Sequence, residues 1–495
     1  MPRKKLPLAL DGDPETPVFL QIARAITADV RRGRLTGGDE LPSSRSLAAE
    51  LGVHRNTVLA AYRELESEGW IVTRRGRGTY VSSALPDERP RRLVKDAPRF
   101  PDAPGFPLPP LAAPTDRPAP VDVPYALLGG YADLRHVPTQ ALARAYRRAL
   151  DPRRTRRMLG YVDPRGEDSL RSALAAMLAR TRGIPVPPEA LTVVRGSQEG
   201  LYLAARTLLA PGDVVACEAL GYAPAWQALR LAGAELAPLP VDADGLRVDA
   251  LAELVARRPV RAVYLTPHHQ HPTTATLKAD RRLALLELAR RHRLAILEDD
   301  YDHEFHYEGR PVLPLAATDA HGSVVYVGTL SKVLAPGLRI GYVVAPRAIV
   351  DRIATYRTYV DRQGDPAVER AVATLLEDGE VERHAHRMRR LYRGRRDALA
   401  HALERTCGER LEFALPPGGM ALWAKVQGVD PDAWLSRCEA RGVTFQTGKR
   451  FDFGGRARPF VRLGFACCDE TELAEAVARM ASVWPRGGSA QRVRR

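Results

Sequence analysis

The chain has 495 residues, 45% of them apolar, and a net charge of +15. That is enough for a large packed core in two or three domains, and it excludes a mostly disordered chain or a disulfide-stapled miniprotein. No apolar run approaches the ~18 residues of a membrane-spanning helix. The basic start MPRKKLPLAL lacks the apolar core of a secretory signal, and five Cys without any CxxC spacing point to a reducing, cytoplasmic setting and no metal site.

The charge is unevenly placed. Residues 135–182 carry 12 Arg against four acids, and Arg383 to Arg396 holds seven Arg. Such clusters attract phosphate backbones, although a solvated Arg-rich surface has the same composition. Reversing the charge of Arg153, Arg154, Arg156 and Arg157 would separate the two readings.

Residues 14–82 come first. Val18–Arg31 reads as an amphipathic helix with Ile22, Ala25, Ile26 and Val30 on one face. Leu41-Pro42-Ser43-Ser44 supplies a turn and an N-cap for a helix through Leu51. Gly52 breaks it, and Val53-His54-Arg55-Asn56-Thr57 opens another helix to about Glu68. Two short helices about a tight glycine turn form a helix-turn-helix pattern. Trp70–Thr73 and Gly78–Val81 read as strands around the basic tip Arg74-Arg75-Gly76-Arg77, a wing.

Residues 83–124 hold 12 of the 40 prolines and read as a semi-extended linker. From 125 to 484, amphipathic helices alternate with short apolar runs: Leu191–Val194, Val214–Cys217, Val260–Leu265, Leu294–Leu297, Val324–Val327 and Ile340–Val344. That alternation predicts an α/β domain with a largely parallel sheet. Residues 485–495 read as a disordered basic tail.

The chemistry sits in the α/β part. Gly328-Thr329-Leu330-Ser331-Lys332 follows one apolar run, with Arg339 seven residues on. Glu298-Asp299-Asp300-Tyr301 follows another. Ionisable groups at the C-terminal ends of strands are where open α/β sheets place ligands. A lysine amine can condense with an aldehyde, a carboxylate can keep a pyridine nitrogen protonated, and hydroxyls with an arginine can hold a phosphate. This set fits pyridoxal 5′-phosphate. His268, His269 and His271 lie close together, but their context, TPHHQHPTT, suits a cofactor-site loop better than a metal site.

Two resemblances sharpen this reading. LPSSRSLAAELGVHRNTVLAAYRELESEGW and RRGRGTYV resemble the winged helix-turn-helix of GntR-family bacterial regulators. The segments YVDPRGEDSLRSALAAML, VVRGSQEGLYLAARTLLAPGDVV, EALGYAPAWQAL, LEDDYDHEFHY, YVGTLSKVLAPGLRIGY and VRLGFA resemble the fold-type I aminotransferases. Their fusion resembles the MocR/GabR-type subfamily of GntR regulators. The implied function is a DNA-binding transcriptional regulator that senses an amino acid or amine through an external aldimine. The competing function is an active aminotransferase carrying a DNA-binding head.

The resemblance implies that Arg45, His54, Arg55, Asn56, Thr57, Arg75, Arg77 and Gly78 face double-stranded DNA, in a cytoplasmic, nucleoid-associated protein. It makes Lys332 the Schiff-base lysine, Asp299 the partner of the pyridine nitrogen and Tyr301 a donor to the phenolic oxygen. Gly196, Ser197 and Gln198 open a helix against the phosphate, and Thr329, Ser331 and Arg339 complete the cup. Tyr222 stacks on the ring, and Arg462 clamps an effector carboxylate. Tyr161 reaches the partner's phosphate in a head-to-tail homodimer. His271-Pro272-Thr273-Thr274 stands where aminotransferases carry Asn-Pro-Thr-Gly, which makes His271 a ring contact. Trp226 stands where some relatives carry a polar or basic residue, which leaves the identity of the effector open.

Overall fold

The computed structural model describes residues 8, 10, 13–86, 102–108, 123–151, 153, 159–309 and 311–485. Most of the predicted linker, residues 486–495 of the tail, and Arg154, Arg156 and Arg157 lie outside them. The chain divides into two compact units, Met1–Leu111 and Ala112–Arg495.

The first unit has helices Val18–Arg31, Ser44–Leu51 and Arg55–Ser67, and an antiparallel sheet ordered Glu40–Leu41, Gly78–Val81, Ile71–Arg74. Local chemistry fixes the helix boundaries. Ser43 Oγ accepts from the Ser46 backbone N–H at 3.2 Å, which satisfies a donor the helix cannot. Gly52 ends that helix at φ 64°, a left-handed conformation that glycine takes without a Cβ penalty. Ile22, Ile26, Leu47, Val58, Ala61, Leu65, Trp70, Ile71 and Val81 close one core. The wing's first strand starts at Ile71, one residue later than the sequence suggests, because Trp70 turns into that core.

The second unit is built on a seven-stranded sheet. Its order is Leu191–Val194, Gly341–Val344, Val324–Thr329, Ala295–Asp300, Ala262–Leu265, Val214–Glu218, Glu235–Leu239. Six strands run in one direction, and Gly341–Val344 runs against both its neighbours. The prediction of a largely parallel sheet therefore holds with one reversed strand. Glu235–Leu239 was not anticipated, since Pro238 and half-polar alternation disguise an edge strand.

The strands bury both faces. Val263, Ile296 and Tyr326 join a core with helices Asp168–Arg182, Ala279–His292 and Pro366–Glu377. Tyr264, Leu297, Val325 and Val327 join a second core with helices Ser197–Leu208, Ala223–Leu231 and Arg347–Val360. Each fully buried large side chain contributes about 1.5–3 kcal/mol relative to exposure.

A third core belongs to a part the sequence reading did not separate. An antiparallel sheet ordered Leu411–Phe413, Ala421–Val426, Phe460–Gly464, Gln446–Thr447 packs with the long helix Glu380–Cys407 and with Glu470–Ser482. The last helix starts at a capping box in which Asp469 and Glu472 each accept from the other's backbone N–H. Tyr125–Ala126 pairs in parallel with Val443–Thr444, tying the start of this unit to that part. Among the described residues no helix is long and apolar enough to cross a membrane.

Candidate functional sites

In the second unit a cavity of about 300 Å³ opens at the C-terminal ends of the parallel strands. Lys332, Asp299, Tyr301, Ser197, Gln198, Tyr222, His271 and Arg462 all line it. The strand that carries Asp299 runs on to Asp300, beyond the end read from the sequence. Strand alternation sends Asp299 to the same side as Leu297 and Tyr264, and Asp300 to the other. Tyr264 donates its hydroxyl to Asp299 Oδ2 at 2.9 Å, while Oδ1 is buried without a partner. Burial pushes the Asp299 carboxyl up to about 7, against the hydrogen bond from Tyr264.

Lys332 Nζ lies 6.0 Å from the centre of the Tyr131 ring. Burial, then the Arg462 guanidinium, lowers its pKa below the usual amine range. Arg462 is 1% exposed, and none of its three guanidinium nitrogens has a hydrogen-bond partner. A charge so enclosed is costly without a counter-anion. Burial raises Tyr222 to about 12, so it stays a phenol at neutral pH. Its ring meets His271 edge-on at 5.4 Å, and His271 also meets Phe451 at 5.2 Å. Burial, Arg462 and Lys332 together keep His271 neutral. Gln198 donates to Pro224 O at 2.6 Å, leaving its own carbonyl oxygen unpaired.

Other predicted residues sit differently. The Tyr301 hydroxyl donates to the His269 carbonyl at 3.0 Å, so its proton is already engaged within the chain. Gly196, Thr329, Ser331 and Arg339 stand beside the cavity in a cluster of their own. Gly196 opens helix Ser197–Leu208 at φ 83° with the Arg339 guanidinium packed on it. Arg339 Nη2 donates to Arg195 O at 2.5 Å, and Thr329 Oγ1 donates to Ser331 Oγ at 2.9 Å. Tyr161 is away from the cavity and 81% exposed, with Arg362 over its ring at 4.8 Å. Trp226 does not face the cavity. It is 3% exposed and packs edge-on against Phe453 in the core.

The sequence reading missed several lining groups: Gly129, Gly130, Tyr131, Thr266, Gln446, Arg450 and Phe451. The Gly129-Gly130 doublet was the one visible signal, because paired glycines mark close backbone approach. Tyr264 was hidden inside an apolar run.

In the first unit, Arg45, His54, Arg55, Asn56, Arg75, Arg77 and Gly78 are exposed and Thr57 is half-buried. His54 is the N-cap rather than a helix residue. Its Nδ1 accepts from the Asn56 N–H at 3.2 Å, which leaves Nε2 facing outward. Arg55 Nε donates to Ser44 Oγ at 3.3 Å and bridges the two helices. Gly76 and Gly78 turn the wing at φ 74° and 122°, and Arg74 stacks over Tyr80 at 5.3 Å.

The fold and these sites define a winged helix-turn-helix joined to an aminotransferase-like body. Residues 19–81 match the gntR family of bacterial regulatory proteins, and 129–480 match aminotransferase class I and II. The chain is 32% identical to the probable rhizopine catabolism regulatory protein MocR of Rhizobium meliloti, over 96% of each chain. It is 34% identical to the transcriptional regulator TauR of Rhodobacter capsulatus, over 93% of this chain and 95% of that one. The body superposes on LysN, the alpha-aminoadipate aminotransferase of Thermus thermophilus solved with N-(5′-phosphopyridoxyl)-L-leucine. That match has a TM-score of 0.67 and 30% identity, over 72% of this chain and 91% of LysN. The chain belongs to the MocR-type transcriptional regulators of the GntR family. DNA is accordingly its partner through the winged helix.

Proposed function

We propose that the cavity holds pyridoxal 5′-phosphate and that an amino acid or amine binding there switches the protein's hold on DNA. One observation carries this: Lys332, an unpaired oxygen of Asp299 and an unpaired guanidinium of Arg462 converge on one cavity. These donors fit the group. When bound, the cofactor supplies an aldehyde made electrophilic by its protonated pyridine ring.

The chain's residues have separate tasks. Asp299 would keep the ring nitrogen protonated through its unpaired oxygen, while Tyr264 fixes the other. Lys332, whose pKa burial lowers, would be the amine that holds the cofactor's aldehyde. The backbone N–H groups at Ser197 and Gln198, at the start of a helix, would hold the phosphate, and Thr329, Ser331 and Arg339 would add donors from beside the cavity on release of their present bonds. Arg462 takes the effector carboxylate, in two parallel hydrogen bonds when the pair is fork to fork. Tyr222 and His271 bound the ring.

A head-to-tail homodimer completes the reading. Leu159 is 73% exposed, Tyr359 85% and Val360 62%. Gln363 Oε1 accepts from the Val162 N–H at 2.7 Å and so ties the 159–162 segment to the end of helix Arg347–Val360. An apolar exposed patch of this kind supports burial against a second copy, which would carry Tyr161 into its neighbour's phosphate site. An effector switches DNA binding by preferring one of two global states.

The test is an absorption titration of wild type and Lys332→Ala with a panel of amino acids and amines. The expected result is a near-visible band that needs Lys332 and shifts with one ligand, followed by altered operator binding with that ligand. No band after added cofactor sinks the reading. Sustained product formation with a keto acid acceptor would make the body an enzyme instead.

A further inference from the structure

The loops that bear His271 and Tyr301 also carry a second set of side chains. His268, His269, His303 and His306 meet outside the cofactor cavity. The His268 ring lies 4.4 Å from His269, 4.5 Å from His303 and 6.0 Å from His306 between centres. His268, His269 and His306 each place a ring nitrogen within 4.8 Å of the other two.

Two of these rings lack partners. Both nitrogens of His268 and Nε2 of His269 have no hydrogen bond within the protein, while His306 has the Glu308 backbone beside it. His268 is 4% exposed and His269 1%. Two enclosed imidazoles converging without partners on a third is an arrangement that protein hydrogen bonding does not explain.

We propose that His268, His269 and His306 form a binding site for one divalent transition-metal ion of the zinc class. Imidazole without thiolate or a carboxylate cage selects zinc, copper, nickel or cobalt over magnesium and calcium. The supporting shell is present. His269 Nδ1 lies 2.8 Å from Asp302 Oδ1, which orients the ring and leaves Nε2 for the ion. Asp300 Oδ2 accepts from the Tyr326 hydroxyl at 2.6 Å and sits 3.0 Å from Nδ1 of His303, the ring stacked on His268. Asp300 and Asp302, both buried, offset the charge of a dication. The nearby cations are engaged elsewhere: Arg182 pairs with Glu304, Arg389 donates to Glu304 O at 2.6 Å, and Arg282, which faces His268, donates to Leu277 O and Pro267 O, both at 2.8 Å.

His303 and His306 also line a separate cavity of about 160 Å³, which gives an entry path to the cluster from the His306 side. Zinc–nitrogen bonds of about 2.1 Å set tetrahedral donors roughly 3.4 Å apart, so loading draws the rings closer together.

The test uses tag-free, full-length, cofactor-saturated protein, stripped with a chelator. Zn²⁺ is titrated in competition with a chromophoric chelator, and Co²⁺ is added separately for its visible d–d spectrum. The expected result is one ion per chain, with affinity falling at least tenfold in His268→Ser and in His306→Ala. A four-coordinate Co²⁺ spectrum should disappear in both. His292→Ala, at an exposed surface position, and Lys332→Ala should bind as wild type does. No retained ion overturns the proposal, as does binding that survives both substitutions or is lost in Lys332→Ala. His306 is only half-buried, so His306→Ala decides the matter if His268→Ser does not fold.

Discussion

A Cβ added to Gly129 would lie 2.5 Å from Arg462 Nη1 and 3.1 Å from the Ala421 Cβ. Arg462 is enclosed and cannot retreat to solvent, so Gly129→Ala should displace the guanidinium. We expect at least tenfold weaker binding of a carboxylate-bearing effector with the Lys332-dependent band kept, read in one spectral titration. Glu218 gives a second prediction at this scale. Burial pushes it up to about 8, against hydrogen bonds from Thr266. An unfolded Glu titrates near 4.3, so between those values the folded chain binds more protons than the unfolded one. Stability from this group is full below about pH 4.3 and is lost as pH rises through about 8. Glu218→Gln should therefore show a smaller fall in melting temperature from pH 5 to 9 than wild type.

Backbone conformation at the element scale makes its own demands. The turn after His271-Pro272 places Thr274 at φ 65°, where a β-branched residue is strained and glycine is not. Thr274 is held there by its N–H on Gln270 O at 2.7 Å. Thr274→Gly should relieve about 1 kcal/mol and raise the melting temperature of the body by about 1–2 °C. Strand Gly341–Val344 passes so close to the start of helix Ser197–Leu208 that a Cβ on Gly341 would lie 2.6 Å from Gly196 C. Gly341→Ala meets backbone, which cannot swing aside, and should cost about 1–3 kcal/mol along with cofactor affinity, by denaturation and equilibrium dialysis.

Elements of strong local character were legible in the sequence. Helix Val18–Arg31, strand Leu191–Val194 and strand Gly78–Val81 have the predicted bounds, because apolar periodicity and flanking glycines fix them. The antiparallel sheet around Ala421–Val426 was not legible, since its central pairing joins Ala421–Val426 to Phe460–Gly464 across 35 or more residues. The site divides the same way. Lys332, Asp299 and Arg462 stand in motifs that could be read, whereas Tyr264 and Phe451 enter through register and loop packing that no local pattern encodes.

For the whole molecule, the winged helix meets a polyanion and, in the proposed reading, the body meets a small ligand. Each phosphate contact by an arginine adds about one unit to the salt slope of DNA binding. Arg77→Ala should flatten that slope by about one unit across all operator sequences. Asn56→Ala should instead relax discrimination at one base pair by about 1–3 kcal/mol. Both are read by binding isotherms at several salt concentrations. In the proposed pair, Tyr161→Phe should weaken cofactor retention without altering the mass of the dimer, since it removes a donor and leaves the ring.

Asp299 and Asp300 are neighbours on one strand, yet one faces the cofactor cavity and the other the imidazole cluster. His269 and His271 divide in the same manner along their loop. Selection acting on either side works through the same few backbone atoms, so the two sides cannot drift independently. A lineage that changed effector by altering His271 or Tyr301 would have to retune the histidines behind them. Substitutions at positions 268–271 and 299–306 should therefore show pronounced epistasis in a combinatorial library, with paired changes tolerated where single ones fail.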